Sequence, residues 1–563
     1  MSDRRAWRRW LLDGALVLGL MVVAAVNIGR GDAFPVSDEA GHVRKVTQVE
    51  REVHNARTPL KKAAKALFST DAYPQLYHAA ALLPLSVERS LRALRLTLLP
   101  LHLIHLLVGL VVGRRLWGGA AARAYALMVG LSPVALAWAR FFYIDVPLVS
   151  LVGIASLLAL GAEGGRRRAA TCGLAAACAL GLQVKWVFGF FLVGPLLALW
   201  VQGARLPGPS RLQAALVAAA QLLLVGAILA LTVVLGQGPL AKGANLEIAV
   251  QVAIFGWAAL ALLSLSPWPR GPGLRLGAAT ALVGLTTAPW YATMLEALRG
   301  RVAHEGAMQA KTGLASPTSW RLEVAMNLVP LGLPLLGISL LGVILSRRGA
   351  PTLLACGLSA ALSFGLVSWG LPFDPRYQLP LLPLIAAAIA AGWSGLGRLS
   401  GPLTVVLGAL LLFLTGLGAG HPTTPATAAV AQNLGGAVDL RVSSGMRLPR
   451  LLAARGDEAD PAVVSAVIHS LRGRIDRPPP QLKIAAPHGG TLQMRGLEGM
   501  FELYRAPVML QAEPKGHLAD LWIRCADPHH RDPGPIPSNC TSLGELRPRC
   551  EALRCTGGAA SHP

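Results

Sequence analysis

Residues 92–115 read RALRLTLLPLHLIHLLVGLVVGRR, an apolar run of membrane-spanning length that ends in two arginines. A bilayer core about 30 Å thick requires roughly 20 apolar residues per helix, and runs of about that length recur from Leu11 to Leu417. The 563-residue chain has 53% hydrophobic and 14% charged residues and a mean hydropathy of +0.51, which is too apolar for a soluble protein of this size. Because open sheets cannot satisfy their backbone in lipid, these runs predict a polytopic α-helical membrane protein.

The apolar runs predict about thirteen membrane-spanning helices in a transmembrane domain over residues 1–420. The predicted spans are 11–28, 92–113, 119–139, 146–162, 169–184, 186–202, 212–236, 247–266, 274–290, 324–345, 351–370, 378–396 and 401–419. The first external loop, about 29–89, is charged and partly amphipathic, which is typical of helices that lie on a membrane surface.

The basic residues fall mainly in short loops between the apolar runs. A formal net charge of +23 would indicate nucleic-acid binding in a soluble protein, but this distribution follows the positive-inside rule, so no nucleic-acid partner is expected. The rule places the N-terminus in the cytoplasm, and an odd number of spans then places the C-terminus outside. The many Ala, Gly, Arg and Leu residues suggest a GC-rich bacterial genome, so we expect a multi-pass protein of the cell inner membrane.

Residues 421–563 have the composition of a small soluble domain, with short alternating runs that predict a mixed α/β fold. Four cysteines crowd this segment: Cys525, Cys540, Cys550 and Cys555. Clustered cysteines predict up to two disulfides and therefore an oxidising compartment, which agrees with a periplasmic C-terminal domain. A zinc module is the less favoured alternative because the spacing fits it poorly.

Adjacent carboxylates, Asp38 and Glu39, follow the first span directly and lie at the outer mouth of the predicted bundle. A carboxylate can take a proton from an acceptor group, or it can hold a divalent cation such as Mg²⁺ or Mn²⁺ against a phosphate. The alternative is a solvated loop in which Asp38 caps a helix.

A further acidic residue, Asp145, occurs in the run RFFYIDVPL at the external end of two predicted spans. An acid beside aromatic and branched apolar residues at the hydrocarbon boundary is costly, which favours a functional role. A structural cap before Pro147 is the alternative interpretation.

Two cations also fall on the predicted external side, Lys185 at an outer turn and Arg376 at the start of a late span. Their position opposes the positive-inside trend, and binding the phosphate of an anionic lipid would explain it. Snorkelling to lipid headgroups is the alternative.

Several aromatic and histidine residues lie in the same predicted external segments. Aromatic residues there are often a membrane-interface belt, whereas stacking on a sugar is the functional alternative. The pocket candidates are His42, Tyr73, Tyr77, Trp290, Tyr291, His304 and Tyr377.

The order of these elements resembles the GT-C superfamily of integral-membrane glycosyltransferases, in particular the branch with protein O-mannosyltransferases and the lipid A aminoarabinose transferase. The resemblance covers roughly residues 10–420 and rests on motifs that lie on one predicted side of the membrane. In chain order they are Asp-Glu (Asp38, Glu39), a Tyr-Pro-Pro-Leu-Tyr-like element (Tyr73 to Tyr77), an acid before Pro-Leu (Asp145), a Lys after Gly-Leu (Lys185), Pro-Trp-Tyr (Pro289 to Tyr291) and Arg-Tyr-x-Leu-Pro-x-x-Pro (Arg376 to Pro383).

The resemblance implies transfer of a sugar from a polyprenyl-phosphate carrier to a protein, lipid or glycan acceptor, with inversion at the anomeric carbon. It implies that Asp38 or Glu39 acts as a base or metal ligand, that Asp145 is a second acidic group, and that Lys185 and Arg376 lie near the carrier phosphate. A Gly-rich phosphate loop ending in Lys-Ser/Thr is missing from the sequence, which is consistent with a lipid-linked donor.

The sequence departs from the pattern at Gln75, where a second proline is usual, and at Trp186, where a small residue is more common. These departures concern the sugar and acceptor pocket more than the reaction. A multi-span transporter or lipid flippase is the alternative function, although here the ionisable residues gather at one external face instead of the midplane. A non-catalytic assembly protein of envelope polysaccharide synthesis is a third possibility.

Overall fold

The computed structural model describes an α-helical protein with a separate run of β-strands near the C-terminus. The residues that the structure describes are 2–29, 38–67, 74–139, 141–204, 244–265, 271–312, 328–329, 332–347, 349–370, 375–418, 481–485, 509–512, 521–525, 540–547 and 550–555. The predicted span 212–236 and much of the segment 421–563 lie outside these residues.

The α-helices are bounded as follows. They are α1 Ser2–Gly29, α2 Asp38–Asn55, α3 Pro59–Leu67, α4 Leu76–Ala80, α5 Leu82–Val87, α6 Leu91–Leu96, α7 Leu99–Trp117, α8 Gly119–Gly130, α9 Pro133–Trp138, α10 Asp145–Gly161, α11 Arg168–Val184, α12 Val193–Ala204, α13 Ala244–Leu265, α14 Pro272–Thr312, α15 Gly332–Ser346, α16 Ala350–Gly370, α17 Leu382–Trp393 and α18 Ser400–Gly418. Short 3₁₀ segments at Trp186–Leu192, Pro375–Leu381 and Ser394–Leu399 join or extend several of them.

These helices support an integral membrane protein. Among the described residues, four stretches are long and apolar enough to cross a bilayer: Trp10–Ile28, Leu91–Trp117, Trp186–Gly203 and Tyr377–Phe413. Shorter apolar helices supply further candidates, among them α10 and α11. The part of the chain that is described therefore agrees with a polytopic helical fold, whereas the number thirteen stays a prediction.

Two regions differ from the sequence-based expectation. The predicted span 119–139 is two helices, because the chain breaks at Leu131 and Ser132 just before Pro133, and proline restricts the residue that precedes it. The predicted span 274–290 does not end there: Pro289 lies inside the continuous helix α14, and the chain stays helical to Thr312.

The core of the described bundle is built around α10, which is buried along nearly its whole length. Helices α7 and α11 pack against it, and α17, whose residues are all buried, packs against α15 and α16. Close approach here requires glycine: a Cβ on Gly392 would lie 2.0 Å from the Ser339 carbonyl oxygen. Large apolar side chains such as Leu18 and Ile344 face outward, as expected of a lipid-facing surface.

Helix α1 makes polar contacts with its neighbours at two of its positions, Asp13 and Asn27. Asp13 is 3% exposed and pairs with Arg114 of α7 and with Arg123 of α8, whose Nε lies 2.9 Å from an Asp13 oxygen. Near the C-terminal end of α1, the Asn27 side-chain amide donates to the Leu136 carbonyl at 2.5 Å. These bonds fix α1 against its neighbours although many of its side chains face outward.

The described strands are β1 Gln481–Ala485, β2 Met509–Ala512, β3 Leu521–Cys525, β4 Cys540–Arg547 and β5 Cys550–Cys555, and they form one mixed sheet in the order β2-β1-β3-β5-β4. Strand β1 runs parallel to β2 and β3, whereas β5 is antiparallel to β3 and β4. The register sets Cys525 opposite Cys550 and Cys540 opposite Cys555. Cys540 is disulfide-bonded, in agreement with the expected oxidation of this segment.

Candidate functional site

An ion pair joins two of the predicted site residues, Asp145 and Lys185. The Lys185 Nζ lies 2.5 Å from an Asp145 carboxylate oxygen, and each side chain is only 4% exposed. Asp145 is the first residue of α10, and Lys185 directly follows the last residue of α11. An acid at a helix N-terminus and a base at a helix C-terminus both interact favourably with the helix dipole, so the local sequence supports the pair.

Tyr377 completes this group, which we call the Lys185 cluster: Asp145, Lys185 and Tyr377. The Lys185 Nζ lies 4.6 Å from the centre of the Tyr377 ring, a cation–π distance. Asp145 and Tyr377, which are 232 positions apart in the sequence, thus both contact the Lys185 ammonium. Arg376 precedes Tyr377 in the 3₁₀ segment Pro375–Leu381, and its side chain lies outside the described part of the structure.

Glu39 forms the second buried ion pair, with Arg95 of α6. Arg95 donates from its Nε at 2.9 Å and from a terminal nitrogen at 3.0 Å, one bond to each Glu39 oxygen. The Phe142 backbone N–H donates to Glu39 as well, with 2.6 Å between nitrogen and oxygen. Both charged side chains are fully buried, so this carboxylate links α2, α6 and the segment that leads into Asp145.

The surroundings of Glu39 do not fit a divalent cation. Its two oxygens are already occupied by a guanidinium and a backbone N–H, and the adjacent positive charge opposes binding of a metal ion. Among the residues that the structure describes, there is also no group of three His, Cys, Asp or Glu side chains that could hold a metal. Asp38 begins α2, but its side chain is not among those described.

His42 and Tyr77 also belong to this region of the fold. The His42 Nδ1 lies 3.0 Å from the Nε2 of His78 in α4, and both histidines are buried. The Tyr77 ring stacks on Phe142 with 4.9 Å between ring centres. Burial, together with the nearby Glu39 carboxylate, raises the pKa of the Tyr77 phenol well above its usual value, so this group remains protonated.

The remaining pocket candidates are Trp290, Tyr291, His304 and Tyr73. Trp290 is buried in α14, and the neighbouring Tyr291 donates its hydroxyl to the Leu182 carbonyl of α11 at 3.0 Å. His304 lies further along α14, and its side chain is not described. Tyr73 lies outside the described residues. The described contacts therefore bring α14 to α11.

Sequence reasoning missed two residues of this region, Arg95 and His78. Arg95 lies within an apolar run, where an arginine is costly unless it has an anionic partner. Its position in the sequence therefore indicates a buried ion pair. His78 follows Tyr77 directly, and its importance emerges only when α4 packs against α2. Neither residue has a spacing that would mark it as functional in the sequence alone.

The arrangement of the helices is similar to that of a solved protein structure, which agrees with the fold expected from the sequence. The chain is similar to the crystal structure of ArnT from Cupriavidus metallidurans bound to undecaprenyl phosphate, with a TM-score of 0.53 and 14% identity over 97% of each chain. At this identity the likeness speaks for the fold alone.

Weaker likenesses were found to two other crystal structures. The apo state of the same ArnT gives a TM-score of 0.48 at 14% identity, covering 90% of this chain and 87% of that one. The apo oligosaccharyltransferase of Archaeoglobus fulgidus gives 0.39 at 12% identity, covering 88% of this chain and 64% of the other. No model of a protein family and no curated protein matches the sequence.

Proposed function

We propose that the chain is a membrane glycosyltransferase that moves a sugar from a polyprenyl-phosphate carrier to a protein, lipid or glycan acceptor on the external face. The observation that carries the proposal is the Lys185 cluster, a buried ammonium held at the ends of two apolar helices. The ion pair with Asp145 and the Tyr377 ring hold the Lys185 ammonium in a fixed position, where a lipid phosphate is an anion that it can bind. The fold, shared with a protein crystallised with undecaprenyl phosphate, supports the same choice.

In the proposed reaction, Lys185 binds a phosphate oxygen of the carrier. An ammonium has three N–H donors, so Lys185 can keep its bond to Asp145 while it donates to the phosphate. As the bond between the anomeric carbon and the phosphate oxygen breaks, negative charge grows on the phosphate, and a preorganised cation stabilises that charge. We assign Arg376 to the same phosphate, because it adjoins Tyr377 in the chain.

The acceptor is assigned to the N-terminal end of α2. Asp38, the first residue of this helix, would accept a hydrogen bond from the acceptor's nucleophilic group and orient it toward the anomeric carbon. Glu39 is proposed to position this end of α2, since Arg95 and the Phe142 N–H already occupy its oxygens. Direct displacement by the acceptor inverts the configuration of the sugar, and no step is routed through a metal ion.

The topology is part of the proposal: a cell inner membrane protein with a cytoplasmic N-terminus, a transmembrane domain over 1–420 and a periplasmic C-terminal domain over 421–563. Arg114 and Arg123, which pair with Asp13, lie beside the N-terminal half of α1. Basic residues near that half of the helix agree with a cytoplasmic N-terminus under the positive-inside rule. The disulfide at Cys540 agrees with an oxidising compartment for the C-terminal segment.

The test is transfer of radiolabelled sugar from polyprenyl-phosphate sugars to envelope fractions by membranes that contain matched amounts of each variant. Replacing Lys185 by Met should lower the rate on the order of 10²- to 10³-fold, the usual loss when one stabilising group for a developing anion is removed. Replacing Asp145 by Asn should also lower the rate, because Asp145 holds the ammonium in place. The matched control is Glu50→Gln on α2, which breaks a partly exposed pair with Arg89 and should leave transfer unchanged.

The position of the label would identify the acceptor as protein, lipid or glycan. Equal transfer by wild type, both variants and membranes from an empty vector would refute the proposal. In that case, movement of the labelled lipid across the membrane of reconstituted vesicles would test the transporter or flippase alternative.

A further inference from the structure

Three aromatic rings form a cluster on the segment that leads into α10, and the proposed reaction has not used it. We call it the Trp138 cluster: Trp138, which is the last residue of α9, with Phe141 and Tyr143. The centre of the Trp138 ring lies 6.0 Å from that of Phe141 and 5.6 Å from that of Tyr143. The Phe141 and Tyr143 centres are 5.8 Å apart, so each ring contacts both of the others.

The cluster is held in place by the backbone and by the buried ion pair of Glu39 with Arg95. The Phe141 N–H donates to the Trp138 carbonyl at 3.0 Å, which closes a tight turn between the two rings. The Arg95 guanidinium lies 5.8 Å from the centre of the Phe141 ring, a cation–π distance. Glu39 accepts from the N–H of the next residue, Phe142. The rings are therefore preorganised, which lowers the entropy that a ligand would lose on binding to them.

Trp138 combines a partly exposed ring with an unused hydrogen-bond donor. The side chains of Trp138 and Phe141 are both partly exposed, whereas Tyr143 is buried. The indole nitrogen of Trp138 is shielded from solvent and has no hydrogen-bond partner among the residues that the structure describes. A buried indole N–H usually has a partner, so this donor is available to a ligand that reaches the ring.

A sugar ring has the matching chemistry. Its C–H groups form an apolar face that packs on an aromatic ring, and its oxygens accept hydrogen bonds from groups beside that ring. The position of the cluster also fits, because Tyr143 lies two residues before Asp145, which holds the Lys185 ammonium. The sugar of the carrier is joined directly to the phosphate that we assign to Lys185, so it must bind at this end of α10.

We propose that Trp138 binds the sugar of the carrier and helps to determine which sugar is accepted. Its ring stacks on the apolar face of the sugar, and its N–H donates to a sugar oxygen. This inference rests on the proposed glycosyltransferase function and adds a sugar subsite to the phosphate subsite at Lys185. A membrane-interface belt is the other common use of aromatic residues at this depth, and it would not distinguish a carrier with a sugar from one without.

The experiment compares equilibrium binding of two kinds of probe to full-length protein in lipid nanodiscs. One probe is undecaprenyl phosphate without a sugar, and the others are undecaprenyl phosphate that carries glucose, mannose, galactose or arabinose. Trp138→Leu removes the ring, whereas Trp138→Phe keeps a ring and removes the N–H. Trp200→Leu is the matched control, since Trp200 is 65% exposed on α12.

Wild type and control should bind at least one of the sugar-bearing carriers more tightly than the carrier alone. Trp138→Leu should weaken that binding by about 10- to 100-fold, as expected for the loss of one stacking contact and one hydrogen bond. Trp138→Phe should weaken it by about 3- to 10-fold, because the stacking contact remains. Both variants should bind the sugar-free carrier as the wild type does, which shows that the phosphate subsite and the fold are intact.

Equal weakening of both kinds of carrier by Trp138→Leu would overturn the proposal, since that is the result of a structural or membrane-anchoring role. Wild-type affinity of Trp138→Leu for every sugar-bearing carrier would also overturn it, as would a wild type that binds no sugar-bearing carrier more tightly than the carrier alone. A wild type that binds neither kind of carrier and transfers no labelled sugar would instead reject the glycosyltransferase function itself.

Discussion

Replacing Arg95 by Met should be among the most destabilising changes in the described bundle. The substitution removes both donors of the guanidinium and leaves the fully buried Glu39 with the Phe142 N–H as its remaining bond among those described above. A hydrogen bond to a charged group contributes about 1.5–3 kcal/mol, so the two lost bonds correspond to about 3–6 kcal/mol. Removing one partner of other buried ion pairs costs about 3–5 kcal/mol, and we expect a loss in that range.

The pair itself contributes less than this loss suggests, because burying both charges is also costly. The double variant Arg95→Met with Glu39→Gln carries no buried charge, and the glutamine can still accept from the Phe142 N–H. We expect it to be more stable than Arg95→Met alone by at least about 1.5 kcal/mol, within the coupling energies usual for residues in contact.

The assay is the free energy of unfolding from reversible denaturation in mixed micelles, followed by circular dichroism. Arg89→Met is the control, since its pair with Glu50 is about a quarter exposed, with side chains 25% and 22% accessible, and should cost under about 1 kcal/mol. Equal losses for Arg95→Met and Arg89→Met would refute the reasoning. So would a double variant that is less stable than Arg95→Met, because the remaining charge would then not be the source of the cost.

Two further outcomes are expected. Gly392→Ala should lower the free energy of unfolding by about 1–3 kcal/mol or more in the same assay. The new Cβ would lie 2.0 Å from the Ser339 carbonyl oxygen, and a backbone atom cannot move aside as a flexible side chain can. The same change at Gly357, where a Cβ would meet no atom within 4 Å, should be nearly neutral. Peptide mapping without reduction should recover two disulfides, each joining a cysteine of β5 to the cysteine opposite it on a neighbouring strand: Cys525 with Cys550 and Cys540 with Cys555. Recovery of any other pairing would contradict the strand register.

The sequence predicted the helical class and several helix boundaries because apolar periodicity and length are local properties. The predicted span 146–162 corresponds to α10, and 169–184 corresponds to α11, each within one residue. Helix α14 was predicted to end near Pro289, but it continues to Thr312. A proline in a long helix costs one hydrogen bond, which the rest of the helix and its packing can compensate, so proline alone is a weak terminator.

The site was predictable by residue type but not by partner. Asp145 and Lys185 were both recognised from their unusual surroundings, yet nothing in their spacing indicated that they bind each other. Glu39 was grouped with Asp38 because the two are adjacent in the sequence. In the fold, Glu39 instead pairs with Arg95, which lies 56 positions further along the chain. Partners of this kind depend on which helices pack together, and a single sequence carries little information on that packing.

The two polar positions of α1 have a consequence for how its sequence can change over time. Of its 28 residues, Asp13 and Asn27 make the polar bonds described above, while much of the intervening surface faces outward. Any apolar side chain satisfies a lipid environment nearly as well as another, so the middle of the helix is under weak selection for residue identity. Related chains should therefore differ freely along α1 and agree at those two positions, and a search based on overall identity would undervalue this helix.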